Sequence, residues 1–207
     1  MLRGQLYGTE TGMAQHSSCI LVVDLEATCA DDGSVPPAAM EIIEIGAVWA
    51  TADGAVLERF QSFVQPLQRP MLTSFCINLT GIRQADIDPA PLFPIAARLL
   101  REFADRRREE GSVWASWGDY DRKQFARECA RHGTQDPLQL PHENAKRIFT
   151  VQQHIGTDVS LAVACELAKI KLEGSYHRAL DDAINTARLL PWIFGTRTLG
   201  ESASTCG

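Results

Sequence analysis

The sequence predicts an α/β protein with a mixed sheet covered by helices. Three observations carry this. Three strand-like segments fall within residues 19–65, and the hairpin signal Asp53-Gly54 joins two of them. From residue 91 onward, helical and strand-like segments alternate. Apolar residues make up 45% of the 207 residues and charged residues 22%, which suits one soluble domain with a sizeable core.

The elements follow in order. Ile20-Leu21-Val22-Val23 is a short continuous apolar run, so residues 19–26 read as a buried strand. A loop holds Asp31-Asp32-Gly33 and Pro36-Pro37. Residues 41–51 form a second strand, and 55–65 return antiparallel as the third. Pro70 precedes a short helix over 71–79, which Gly81 ends as a C′ glycine. Pro91 opens a long helix to about 110, with Leu92, Ile95, Ala96, Leu99, Leu100 and Phe103 at helical spacing. Residues 112–117 make a fourth strand, and 120–132 a helix stopped by Gly133. Residues 146–151 are a fifth, short strand, and 159–169 and 178–194 are helices. Residues 1–18 are polar and aperiodic and read as a mobile leader, and 196–207 as a tail, leaving a folded domain over 19–195.

Charge and cysteine usage narrow the function. A net charge of −6 argues against gripping long duplex DNA through a broad basic surface. It is compatible with an enzyme that holds a few nucleotides, because bound metals supply local positive charge. Arg101 and Arg106-Arg107-Arg108 are interleaved with Glu102, Asp105, Glu109 and Glu110, the pattern of a solvated helix face. The six cysteines form no Cys-x-x-Cys pair, and the histidines lack zinc-site spacing. Scattered thiols without a secretory leader fit a reducing cytoplasm, and no run reaches membrane-spanning length.

The chemistry lies in four acids and a histidine. Asp24 and Glu26 close the first strand two residues apart, on one face, so they can share a metal. Asp121 and Asp182 fall in the first turns of predicted helices, where outward N–H groups tolerate negative charge. Hard divalent cations such as Mg²⁺ or Mn²⁺ prefer such oxygen ligands. His177 precedes the last helix, in the loop Gly174-Ser175-Tyr176, and an ordinary pKa near 6.5 suits a general base. This is the equipment for two-metal hydrolysis of a phosphodiester. Asp119 competes with Asp121, and Asp119 is also placed to cap the helix. Asp181 competes with Asp182. Glu44 reads as a hydrogen-bonded structural acid, and Cys29 and Cys76 as packing residues.

Asp24-x-Glu26, Tyr120-Asp121 and His177-x₄-Asp182 match, in order, the motifs of the DEDDh 3′→5′ exonucleases. Asp24-Leu-Glu-Ala-Thr-Cys29, residues 41–48, Phe75-Cys-Ile-Asn-Leu-Thr-Gly-Ile82, Ser116-Trp-Gly-Asp-Tyr-Asp121 and His177-Arg-Ala-Leu-Asp-Asp182 resemble the branch that holds the histone-mRNA 3′ exonucleases and their bacterial relatives. The resemblance covers about 19–195. It favours Asp121 over Asp119, and the five-residue spacing favours Asp182 over Asp181. It implies a ribonuclease H-like fold with a mixed five-stranded sheet, and two divalent cations, Mg²⁺ or Mn²⁺. Asp24 would bridge both; Glu26 and Asp182 would hold the metal that carries the attacking water; Asp121 would support the second; His177 would deprotonate the water. Phe75 and Tyr120 match the positions that stack the terminal base, with Tyr120 standing where several relatives have Trp. The implied activity is 3′→5′ trimming of single-stranded ends, RNA or short oligonucleotides before DNA, with nucleoside 5′-monophosphates released. The sequence shows no appended RNA-binding domain, which leaves affinity and targeting open to a contribution from a partner that the sequence does not identify.

Three rivals share parts of this pattern. A haloacid-dehalogenase-like phosphatase needs Asp where Glu26 stands and leaves His177 without a role. A non-catalytic nucleic-acid-binding module of the same fold need not keep all five residues. A DNA proofreading exonuclease uses the same chemistry and is separated only by substrate.

Overall fold

The computed structural model describes residues 19–200. The expected leader, 1–18, and residues 201–207 of the expected tail lie outside them. Strand β1 (Cys19–Ala27) is the centre of a five-stranded sheet. β2 (Ile42–Thr51) and β3 (Val56–Phe63) add to one side as antiparallel hairpin partners. Three helices follow: α1 (Ser74–Thr80), α2 (Gln84–Ile87) and α3 (Phe93–Asp105). β4 (Trp114–Ser116) then pairs parallel to β1, and α4 (Tyr120–His132) returns the chain. β5 (His142–Asn144) pairs parallel to β4 and runs directly into α5 (Ala145–Gln152). α6 (Leu161–Leu167), α7 (Ala179–Arg188) and α8 (Leu190–Ile193) complete the chain. The sheet order is β3-β2-β1-β4-β5, mixed and flanked by helices as expected.

Both faces of the sheet are covered, which is why β1 is continuously apolar rather than alternating. Ile20 and Val22 face a core shared with Val48, Phe149 of α5, and Ala183 and Ala187 of α7. Leu21, Val23 and Leu25 face the opposite core, with Leu100 and Phe103 of α3 and Phe125 of α4. Among the described residues, no helix is long and apolar enough to cross a membrane.

Local sequence explains the departures from expectation. Residues 146–151 are helix α5, not a strand, and the fifth strand is the polar triplet just before it. Short apolar runs such as Ile148-Phe149 do not by themselves separate strand from buried helix. Asn144 decides the matter by accepting the Arg147 N–H at 3.0 Å as a helix cap. The helix expected to reach 110 stops at Asp105, because Arg107 turns to Glu58 of β3 and Arg108 to the carbonyl groups of 138 and 139. The long last helix is divided at Leu189, ahead of Pro191, which has no N–H to continue the ladder. Residues 196–200 remain tied to the fold, with the Leu199 N–H donated to Gln153 Oε1 at 2.8 Å.

One glycine brings α7 onto the sheet. Gly46 of β2 lies opposite Asp24, and a Cβ built on it would overlap the backbone of Ala179 and Leu180. The first turn of α7 therefore rests directly on β2, beside β1. Gly46→Ala is expected to destabilise the protein by about 3 kcal/mol, the upper range for overpacking against rigid neighbours. Urea unfolding reads this as a lower midpoint. An unchanged midpoint would show that the helix does not sit on β2 at this residue.

Candidate active site

Asp24 and Glu26 continue the Ile20–Val22 face of β1 and so point toward the side that α7 covers. Asp121 comes from the first turn of α4. Pairing of β1 with β4 ends at Val22–Ala115, and farther on the Leu25 N–H is donated to Asp121 Oδ1 at 3.0 Å. Ser116, at the end of β4, hydrogen-bonds the same carboxylate. Asp182 comes from the first turn of α7. Its Oδ2 accepts the His177 N–H at 3.0 Å, while its Oδ1 is buried with no partner among the described residues.

The loop that carries His177 is shaped by the acid beside Asp182. Gly174 has φ 69°, and a Cβ there would collide with the Asp181 carboxylate. Asp181 Oδ2 accepts the Ser175 N–H at 2.8 Å. His177 has φ 64°, rare for a residue with a Cβ, and its N–H bond to Asp182 holds it there. Its ring lies 4.2 Å from that of Tyr176. Glu44 is buried and saturated by donors: Gln61, the Arg178 guanidinium through two nitrogens, and the Ala179 N–H. This carboxylate pins the start of α7 to β2, as a structural acid would.

These elements open a cleft of about 390 Å³ lined by Asp24, Glu26, Asp121, Asp182 and His177. Ligand atoms of Glu26, His177 and Asp182 lie within 4.8 Å of one another. Asp119, at the N-cap position of α4, stays outside; it makes no capping bond and lies 3.5 Å from Arg122. Tyr120 lines the cleft, but Phe75 does not. Leu79, four residues on along α1, lines it instead. Helical spacing from Phe75 was the available signal for Leu79. Sequence reasoning also missed Trp117, Tyr176 and Lys146 in the lining.

Burial and mutual repulsion keep these acids protonated above their usual range. Burial is the leading cause in each. Asp24 is raised well above a normal carboxylate, with Asp121, Glu26 and Asp182 adding repulsion. Glu26 rises to about 8, with Asp182 as its strongest charged neighbour. Asp182 rises to about 7 despite the His177 N–H. Asp121 reaches only about 6, because its hydrogen bonds and Lys146 favour the charged form. Burial lowers His177, which favours the neutral ring.

The strand order groups acids from β1, α4 and α7 in one cleft, and comparison with known proteins gives the family. The exonuclease family profile matches residues 21–190, and the chain belongs to that family. It is 31% identical over 194 residues to ERI1 exoribonuclease 2 of Danio rerio, covering 84% of this chain and 35% of that protein. It is 29% identical over 185 residues to human 3′-5′ exoribonuclease 1, covering 82% of this chain and 50% of that protein. The chain thus spans about a third to a half of these curated relatives. The nuclease domain of 3′hExo, a DEDDh family member bound to rAMP, superposes with a TM-score of 0.73 at 24% identity, over 84% of this chain and 90% of that one. The fold is the ribonuclease H-like exonuclease fold.

The raised acids make a stability prediction. An unfolded carboxyl releases its proton near pH 4, whereas those in the fold hold theirs to about 6, 7 and 8. The folded state binds more protons across this window, so stability falls as pH rises through it. In EDTA the protein should melt at a lower temperature at pH 8 than at pH 6. Glu26→Gln should narrow that gap, and saturating Mg²⁺ should stabilise the wild type more at pH 8 than at pH 6. An equal gap in wild type and Glu26→Gln would exclude Glu26 as a source.

Proposed function

We propose that this chain is a divalent-cation-dependent 3′→5′ exonuclease that trims single-stranded ends and releases nucleoside 5′-monophosphates. The observation that carries this reading is the convergence of four carboxylates and His177 on one cleft. RNA or short oligonucleotides come before DNA, a preference supported by two relatives named exoribonucleases. The exonuclease domain is assigned to residues 19–195. Cys29, Cys76, Cys129 and Cys165 are free thiols, which supports a cytoplasmic setting.

The donor set fits two divalent cations. All four acids offer hard oxygen, their crowded charge calls for cations, and Asp182 Oδ1 is buried without a donor. Asp24 is assigned to both cations, Glu26 and Asp182 to one, and Asp121 to the other, with Mg²⁺ or Mn²⁺ as the metal. When bound, such cations acidify water and offset the charge that builds on phosphate oxygens. His177 takes the proton of the attacking water, and its lowered pKa leaves the ring neutral at pH 7. The water oxygen bonds to phosphorus as the bond to the preceding nucleotide's 3′ oxygen breaks; that oxygen takes up a proton from solvent, and the phosphate stays on the 5′ oxygen of the released terminal nucleotide. Tyr120 is assigned to the terminal base, with Leu79 also in the cleft and Phe75 one helical turn before Leu79 on α1. Each stacked base contributes about 1–3 kcal/mol.

The deciding assay uses 5′-labelled single-stranded RNA, single-stranded DNA and a stem-loop with a 3′ tail, each with Mg²⁺, Mn²⁺ or EDTA. The expected result is a ladder that keeps the 5′ label, with RNA fastest, no turnover in EDTA and a block by a 3′-phosphate. Cleavage of circular RNA would overturn the exonuclease reading.

His177→Ala separates a general base from a packing residue. The variant should lose roughly 10²-fold or more in kcat while keeping the metal-induced rise in melting temperature. The wild-type rate should level off above an apparent pKa lower than the ordinary histidine value, about 6.5. Near-normal turnover in a folded, metal-binding variant would remove His177 from the proton transfer.

A further inference from the structure

Among the described residues, Lys146 is the one lysine in the lining of the cleft, and no arginine lines it. It stands in the first turn of α5, just after the Asn144 cap. A cation there sits at the unfavourable end of the helix dipole. Among the described residues no carboxylate pairs with it within 4.0 Å. The side chain passes over bare backbone. Gly118 has φ 122°, and a Cβ there would lie 3.6 Å from the Lys146 Nζ. Lys146 also favours the charged form of Asp121, which places it on that side of the acids. A half-buried lysine left unpaired at a helix start, beside a carboxylate cleft, is positioned for an anion that arrives with the substrate.

The sheet gives the cleft a direction. Helix α1 packs through Cys76 and Ile77 against Ile43 of β2 and Phe63 of β3, so Leu79 lies toward that edge. Lys146 follows β5, at the opposite edge. A strand whose terminal base rests against Leu79 and Tyr120 therefore runs out past Asp121 and Lys146. We infer that Lys146 holds the phosphate immediately 5′ of the scissile one. This rests on the exonuclease reading and makes Lys146 a substrate-positioning residue. It binds a group that a plain dinucleotide lacks and that a 5′-phosphorylated dinucleotide or any longer chain supplies.

The test compares the dinucleotide ApA with its 5′-phosphorylated form, pApA, as substrates of wild type, Lys146→Ala and Lys146→Arg in Mg²⁺. In the wild type the 5′-phosphate should lower KM on the order of tenfold or more, the scale of a charge-assisted hydrogen bond, with little change in kcat. In Lys146→Ala this advantage should shrink to less than about twofold, and Lys146→Arg should restore much of it. An equal loss on both dinucleotides would overturn the assignment, as would a fall in kcat at unchanged KM; either places Lys146 with Asp121 and the chemistry. If wild type hydrolyses neither dinucleotide nor longer RNA, the exonuclease reading itself fails. Calorimetric binding of pApA and ApA in Ca²⁺ then still tests the lysine. Equal preference for pApA in wild type and Lys146→Ala would refute it.

Discussion

Four carboxylates share one cleft at the end of β1, and the rest of the molecule is arranged around their repulsion. Burial raises all four, and like charge adds to it at Asp24, Glu26 and Asp182. Left to themselves these groups would push α4 and α7 away from the sheet. Two backbone N–H groups oppose that: Leu25 of β1 donates to Asp121 of α4, and Ala179 of α7 donates to Glu44 of β2. The small residue at Gly46 lets the first turn of α7 approach β2 closely enough for the bond to Glu44. The remaining imbalance is what cations would offset. A site of this kind is costly to the unloaded fold, because function needs charge where packing alone would place none.

Saturation by donors separates the structural acids from the others. Glu44 receives its full complement from Gln61, Arg178 and Ala179. Glu41 accepts the successive N–H groups of Leu67, Gln68 and Arg69, which fixes the segment leading to α1. Asp181 ties down the loop before His177 through Ser175. Glu44 and Glu41 have both oxygens occupied by donors of the chain. Asp182 has kept one oxygen in reserve, buried and unpartnered. An acid that the protein does not satisfy is one it leaves for something else.

The cleft is also asymmetric. Its β2–β3 side offers the apolar surface of α1, and its β5 side offers the lysine at the start of α5. Bases and phosphates alternate along a nucleic acid strand. A pocket with an apolar end, an acidic middle and one cation beyond would orient that strand by stacking and charge rather than by reading base edges, in keeping with a net charge of −6 for the whole chain.

The sequence by itself determined the sheet class, the buried first strand and which acids meet in the cleft. Four aliphatics in a row followed by Asp24 and Glu26 have few stable placements other than a buried strand with a compensated end. The ordered motifs then separated Asp121 from Asp119 and Asp182 from Asp181, and in the fold the chosen pair line the cleft while their neighbours serve the backbone or solvent. Local pattern failed where the signal was short. The triplet of β5 is polar, and Ile148-Phe149 has no period of its own, so strand and helix were exchanged and Lys146 was hidden in the wrong element. Only the tertiary structure decided that Leu79 rather than Phe75 lines the cleft, because that depends on how α1 is turned against β2 and β3. Only it placed Lys146 among the acids. Residues far apart in the chain meet through strand order and helix rotation, and neither is written in any one segment.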